Sequence, residues 1–278
     1  MTIRDNKITP YFAVAGITIA TILVFLIANH QRIQRKTYLF HRDYVEDKYF
    51  TLSSERNVTH ISEENIEIRK NYKNVLGYIN LDSINSFMVI ASEDSFPNHP
   101  IGLFMYNKIN RKVNYDSCLC YLDLQGNYKA FAERLLAYDC SVSRSSDDII
   151  ISFLHFSDIF IIDKCGHLKK RIVTKENTPS PSIIKFNNFY YFERGKTYNT
   201  NIGALTIEDK LYVFSLKSQS RLSKFLVDCY DIESREYLYS FYIENAENEE
   251  NMHIKNVSAL GNVITIESNK SITQIKLL

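Results

Sequence analysis

Tryptophan is absent from these 278 residues, and glycine (8) and proline (5) are sparse. The missing indole weighs against a carbohydrate-stacking surface, although 19 tyrosines supply substitute rings. The glycines are scattered and form neither a P-loop nor a dinucleotide-binding loop, and there is no GxSxG elbow and no HExxH pair. Alanine is scarce beyond the N-terminal segment, so the strongest helix former is missing where helices would need it. Neither sign of charge dominates. Thirty-three Lys and Arg face 32 Asp and Glu, a net charge of +1, which excludes a global pull toward nucleic acid. The cysteines, Cys118, Cys120, Cys140, Cys165 and Cys229, are odd in number and contain no CxxC pair. A disulfide framework is therefore the weaker reading, and most are expected to be small buried apolar residues. Cys118 and Cys120 stand two apart in a run read as a strand, so they are expected to face one side and not to bridge each other.

Hydrophobic residues make up 45% of the chain and charged residues 23%, the profile of a globular protein. Tyr (19) and Phe (17) are abundant beside recurrent Ile and Val, which favours pleated, half-buried strands. One apolar run stands apart. Tyr11–Ala28 is eighteen residues without a charge, the lower limit for a spanning helix and longer than the usual core of a cleaved signal. A membrane anchor is the first reading and a cleaved signal the second. Arg32, Arg35, Lys36 and Arg42 after the run, against Arg4 and Lys7 before it, place the larger part inside by charge alone. The organisation expected is a short basic N-terminus (1–10), an anchor or signal segment (11–28), a linker (29–48) and a β domain (49–278).

Within that domain, short runs alternate with turn residues. Examples are Ser86–Ser92, Gly102–Tyr106, Asp148–His155, Ile159–Ile162, Leu168–Val173, Leu211–Ser215, Val227–Ile232, Tyr237–Ile243, Asn262–Glu267 and Ile272–Leu277. Such spacing predicts an antiparallel all-β architecture. The exception is 127–138, where Ala130, Phe131, Leu135 and Tyr138 fit one helical face, so that either a short helix or a strand with a loop is expected there. A frame of apolar residues, Asp, two spacers and Gly recurs at Asp123 and Asp163, and again without the glycine at Asp231. It reads as a hairpin turn in which Asp accepts turn amides and Gly supplies positive φ. The forty-residue step from Asp123 to Asp163 matches a four-stranded propeller blade; the step of 68 to Asp231 calls for an insertion, with Lys196–Gly203 as candidate. Residues 38–278 number 241, enough for about six blades.

Three phrases then carry a family likeness: Asp158–Lys170 (DIFIIDKCGHLKK), Val227–Ile243 (VDCYDIESREYLYSFYI) and Ile254–Ile266 (IKNVSALGNVITI). Over residues 100–278 the chain resembles the six-bladed TolB-like or NHL-like β-propellers of bacterial cell envelopes. In those proteins a "vDvYDl…yl.SF" strand pair precedes an "i.di.v.gn.iyv" pair. The chain departs from them in having no lipobox and few turn glycines. The resemblance implies a six-bladed propeller with irregular blades behind one N-terminal transmembrane helix, with the domain outside the cytoplasm. The shared motifs are structural and bring no catalytic residues.

Candidate binding residues fall in two loops. The run 93–100 holds Glu93, Asp94, Phe96 and His99, a mixture suited to lining a binding face, with an ordinary surface loop as the alternative. The acidic run 244–251, with Glu247, Glu249 and Glu250, has the oxygens for calcium but no EF-hand frame, so a solvated loop is favoured and no cofactor is expected. The seven histidines show no metal-ligand spacing, and His155, in an apolar strand near a turn, reads as a hydrogen-bonded structural residue. Phe189–Phe192 reads as packing between blades, and Tyr237–Tyr242 as a strand buried on both faces. The functional expectation is a membrane-anchored, non-catalytic binding or scaffold module for a protein or glycan partner. The alternative is a propeller-type lyase or hydrolase with a central metal.

Overall fold

The structure, a computed structural model, describes residues 43, 50–57, 74–91, 101–124, 128, 131–145, 147–176, 178–215, 224–244, 254–268 and 271–277. All of them belong to one compact unit, Arg42–Leu278; the run Tyr11–Ala28 and the candidate binding residues of both loops lie outside the described residues. Among the described residues no helix is long and apolar enough to cross a membrane.

The chain is built from antiparallel meanders. Strand β1 is Phe50–Asn57. The first meander is β2 (Val75–Asn80), β3 (Asn85–Ala91), β4 (Ile101–Asn107) and β5 (Lys112–Tyr121). A short helix, α1 (Phe131–Ala137), leads to β6 (Cys140–Ser145), β7 (Asp148–Phe153), β8 (Asp158–Asp163) and β9 (Leu168–Val173). A separate hairpin, β10 (Ile183–Phe186) and β11 (Phe189–Phe192), precedes β12 (Gly203–Ile207), β13 (Lys210–Ser215), β14 (Lys224–Asp231) and β15 (Tyr237–Glu244). The last meander is β16 (Ile254–Leu260), β17 (Val263–Ser268) and β18 (Ser271–Leu277), and its fourth strand is β1, paired from Phe50↔Leu277 to Asn57↔Ser271. The N-terminal strand thus completes the C-terminal sheet and leaves β18 without a bare edge.

This is an all-β, propeller-like arrangement: four four-stranded meanders and one two-stranded hairpin among the described residues. The six-blade expectation goes beyond that count. The middle strands of the four-stranded meanders are buried along nearly their whole length, as in Phe87–Ala91, Ile149–Phe153, Asp158–Ile162 and Leu211–Ser215, because they are covered on both faces. Leu76, Phe87, Val89, Leu103, Ile149, Ile151, Phe153 and Phe160 form one core, and Leu205, Phe214, Val227, Phe241, Val257, Ile264 and Ile275 another. Outer strands differ: β9 exposes Leu168 and Lys169, and in β15 Leu238 is 39% exposed, so that strand is not buried on both faces as expected.

The first strands of the meanders converge. β16 and β6 pair in parallel at Ser258↔Arg144 and Ala259↔Ser145. The Ser143 hydroxyl donates to the Ala204 carbonyl, and Thr206 N donates to Ser145 Oγ at 2.8 Å. Close approach dictates small residues here: a Cβ on Gly203 would sit 2.8 Å from Val257 Cγ2, and one on Gly77 2.6 Å from Val142 Cγ2.

Strand ends share one turn device. Asp82, Asn107, Asp163 and Asp231 each accept two backbone N–H groups from the following turn or pair one with a hydroxyl. Those amides hold the carboxyls of Asp82, Asp163 and Asp231 below the usual range. Asp163 and Asp231 occupy equivalent turns, β8–β9 and β14–β15, and the residue before the returning carbonyl has positive φ in each: Gly166 at 91° and Arg235 at 63°. Asp123 is not equivalent, since it lies beyond β5; the matching turn of the first meander carries Asn107. The forty-residue step is therefore not the repeat. The long step from Asp163 to Asp231 is genuine, and its insertion is the stretch from 174 to 202 that holds the β10–β11 hairpin.

Two cysteine expectations need correction. Residue 119 is extra in β5: Cys118 pairs with Phe104 and Cys120 with Leu103, so the two thiols face opposite sides of the sheet. Cys118 packs beside Met88 and Phe104, and Cys120 against the core around Phe87. All five cysteines are free, but only Cys229 is fully buried, and Cys165 is exposed in the β8–β9 turn. Burial pushes the Cys120 thiol up to about 12 and that of Cys229 up to about 11, so neither supplies a thiolate at neutral pH.

Gly166 gives a direct test of the turn. A Cβ there would meet Leu119 Cδ1 at 2.5 Å and Leu119 Cβ at 2.8 Å, on a backbone that L side chains rarely adopt. Gly166→Ala is expected to cost about 2–4 kcal/mol, from backbone strain plus overpacking, read as a lowered urea midpoint. Gly166→Asn should recover only the backbone part, because Asn tolerates positive φ but still carries the Cβ.

Candidate functional site

A cleft of about 480 Å3 opens between α1, the turn after β7, β11 and the loop 193–199. Of the two readings open for 127–138 the helix is the one that forms, with Phe131 and Leu135 turned to the core. An aromatic ladder fixes its end: Tyr138 stacks on Phe156 at 5.5 Å, and Tyr128 meets Tyr138 edge-on at 5.4 Å while its hydroxyl donates to Pro181 O. Leu154 N donates to Asp139 O at 2.9 Å and Thr200 N to Leu154 O at 2.6 Å, which clamps the β7–β8 turn between two other segments. His155 is carried on that turn.

His155 is 3% exposed, its ring lying 4.5 Å from that of Phe192. Its Nδ1 lies 3.1 Å from the Tyr198 carbonyl. A carbonyl only accepts, so Nδ1 carries the proton and Nε2 is the unprotonated nitrogen of a neutral imidazole. Burial depresses its pKa below the ordinary 6.5, outweighing the Tyr198 carbonyl and Asp139, which both raise it. The expected hydrogen-bonded histidine is there, and it also lines the cleft.

Leu135, Leu136, Leu154 and Phe192 give the cleft an apolar floor; Asp139, Arg194, Thr197 and Asn199 give it a polar rim. The loop behind the rim is held firmly. Glu193 receives Lys196 Nζ at 2.6 Å on one oxygen and Ser182 Oγ at 2.7 Å on the other, which keeps its carboxyl below the usual range. Thr197 Oγ1 donates to Ser182 O and accepts from Ser182 N, and Gly195 turns the chain at φ 78°. With its hydroxyl doubly engaged, Thr197 is not set as a nucleophile, and ion-paired Glu193 is not set as a proton donor. The arrangement suits holding a small ligand with one apolar face and several hydroxyl or charged groups.

None of the predicted binding residues Glu93, Asp94, Phe96, His99, Glu247, Glu249 and Glu250 is among the described residues. Among the described residues no group of three His, Cys, Asp or Glu could hold a metal, and the inner strands β6, β12 and β16 pack directly on one another. The sequence reading missed Asp139, Phe192 and Arg194 as site residues. They come from two distant segments, the end of α1 and the end of β11, and only the proposed insertion at Lys196–Gly203 pointed toward the loop that gathers them.

No protein-family model matches the chain, and no curated protein matches it in sequence. Solved structures give distant likenesses. One is a structural genomics protein of unknown function from Bacteroides thetaiotaomicron, at 12% identity, covering 73% of this chain and 47% of that one, with a TM-score of 0.39. Another is a member of the DUF4221 family from Bacteroides vulgatus, at 11% identity, covering 72% and 63%, with a TM-score of 0.35. Streptogramin B lyase is similar at 11% identity over 73% and 65%, with a TM-score of 0.31. The chain spans about half the length of the first of these. These neighbours are propeller-like proteins, but at such scores they carry no inference about activity; the propeller-like arrangement is seen in the chain's own meanders.

Proposed function

We propose that this protein is a membrane-anchored, propeller-like module that binds its ligand without transforming it, and that the cleft around His155 takes the end of a glycan. The eighteen uncharged residues Tyr11–Ala28 support the anchor, and the likeness to TolB-like envelope propellers supports an extracytoplasmic domain. The carrying observation is the pairing of an apolar floor with a polar rim in one cleft of about 480 Å3. That volume suits a sugar or two rather than a protein interface: C–H faces would lie on Phe192 and the leucines, and hydroxyls would meet Asp139, Arg194 and Asn199.

Calorimetric titration of the intact protein in detergent with neutral and acidic oligosaccharides tests the assignment. Saturable binding should weaken about tenfold in Arg194→Ala and in Asn199→Ala, the loss of roughly one hydrogen bond to a charged or polar rim group. Both side chains belong to exposed residues, so the fold is expected to survive. Absence of binding across the panel, or binding unchanged in both variants, refutes the glycan assignment. A released product refutes the non-catalytic one.

A further inference from the structure

The β10–β11 hairpin was expected to pack its rings between blades, but it does not. Its register places Ile184 opposite Tyr191 and Phe186 opposite Phe189, which puts these four side chains on one face of the ribbon. All four are open to solvent: Ile184 is 47% exposed, Phe186 65%, Phe189 65% and Tyr191 49%. The hairpin forms its own two-stranded sheet, and Phe192, on its other face, is seated on His155. Both central turn residues, Asn187 and Asn188, have positive φ (47° and 67°), as a tight two-residue hairpin demands. The ribbon is therefore well formed locally while presenting a contiguous apolar face to water, the kind of patch that marks an interaction surface.

Two observations choose its occupant. The ribbon and its following loop, 182–198, carry Lys185, Arg194 and Lys196 against one acid, Glu193, which is already paired with Lys196. Lys185 falls on the opposite face, its Nζ 5.6 Å from the Tyr190 ring, so the cations left to flank the apolar face are Arg194 and Lys196 of the following loop. Exposed rings beside such cations suit an anionic bilayer interface, where rings sit at headgroup depth and cations reach phosphates. The second is the tether. The apolar run ends at Ala28 and the first described residue, Asp43, is fastened to β15, its carbonyl accepting from Ser240 N and its N–H donating to Tyr237 Oη. The intervening 29–42 is fourteen residues, a reach of at most roughly 50 Å, which keeps the domain at high effective concentration beside the bilayer.

We propose that the β10–β11 hairpin lies flat on the membrane interface, with Ile184, Phe186, Phe189 and Tyr191 in the headgroup layer, and so orients the domain above the bilayer. The inference depends on Tyr11–Ala28 acting as the anchor. Because the chain has no tryptophan, F189W makes a sole tryptophan that can be excited apart from the tyrosines, and L260W, at a residue 83% exposed at the end of β16, makes the control. Full-length chains are reconstituted into phosphatidylcholine–phosphatidylglycerol vesicles with and without brominated acyl chains. The F189W emission should be blue-shifted and lose about half its intensity to bromine, while L260W stays red and unquenched. Adding Phe186→Ser and Ile184→Ser to F189W should remove most of that quenching. Red, unquenched F189W emission from a chain that floats with the vesicles overturns the hairpin placement alone. A blue shift without bromine quenching overturns it in favour of a contact between copies. A chain that fails to float overturns the anchor and this proposal together.

Discussion

A chain shortened to begin at residue 58 should lose cooperative folding, while one beginning at Arg42 should keep every described strand pairing. The reason lies in β1. It supplies the fourth strand of the last meander, in a register running from Phe50↔Leu277 to Asn57↔Ser271 with one bulge between Leu52 and Ser54. Without it, the whole length of β18 becomes an open edge, and the core facing Ile275 and Leu277 loses its outer layer. Domain stability is only about 5–15 kcal/mol in total, so losing an eight-residue strand of non-local contacts is expected to consume most of it. Urea denaturation followed by near-ultraviolet circular dichroism reads the result. A chain starting at residue 58 with a full-length midpoint would show that β1 is dispensable.

Replacing Arg171 should also destabilise the fold, by an amount that shrinks as the pH falls. Asp158 is 4% exposed at the start of β8, and one of its oxygens receives Arg171 Nε at 2.7 Å and Nη2 at 2.5 Å from β9. Burial raises the Asp158 carboxyl above its ordinary 3.8, and the guanidinium opposes that rise without cancelling it. Arg171→Ala strands a buried carboxylate and removes the cation lying 5.8 Å from the Phe160 ring. The side chain of Arg171 is 36% exposed, so the loss at pH 7 is set at the low end for a broken buried pair, on the order of 2 kcal/mol. A carboxyl with a raised folded-state pKa favours the folded state below its unfolded value and loses that contribution as the pH rises through the folded one. The deficit of the variant should therefore be full at pH 7 and shrink as the pH falls toward 3.8. Arg171→Lys should recover part of it, since one ammonium replaces only one of two converging donors. A deficit independent of pH would assign the effect to packing on Phe160 instead.

The all-β class and the middle strands are legible in the residues alone, and the helix was one of two readings open for 127–138. Asp148–Phe153, Asp158–Asp163 and Lys210–Ser215 were legible because strands covered on both faces must be continuously apolar, and turn residues bound them. The helical reading rested on the spacing of Phe131, Leu135 and Tyr138. The hairpin turns at Asp163 and Asp231 were legible because a carboxylate accepting turn amides is a local device. Only the tertiary structure decided the rest. The inner strands β2, β6 and β12 escaped notice because they cross their neighbours too closely for large side chains, leaving Gly77, Ser143 and Gly203 where apolar bulk would have marked a strand. The bulge at residue 119 reversed the relative facing of Cys118 and Cys120, a slip of one residue that no period reveals in advance. The closure of β18 by β1 and the meeting of Asp139, His155, Phe192 and Arg194 join segments far apart in the chain. Their attraction is carried by backbone pairing and by burial of whole sheets, neither of which leaves a mark on the local order of residues.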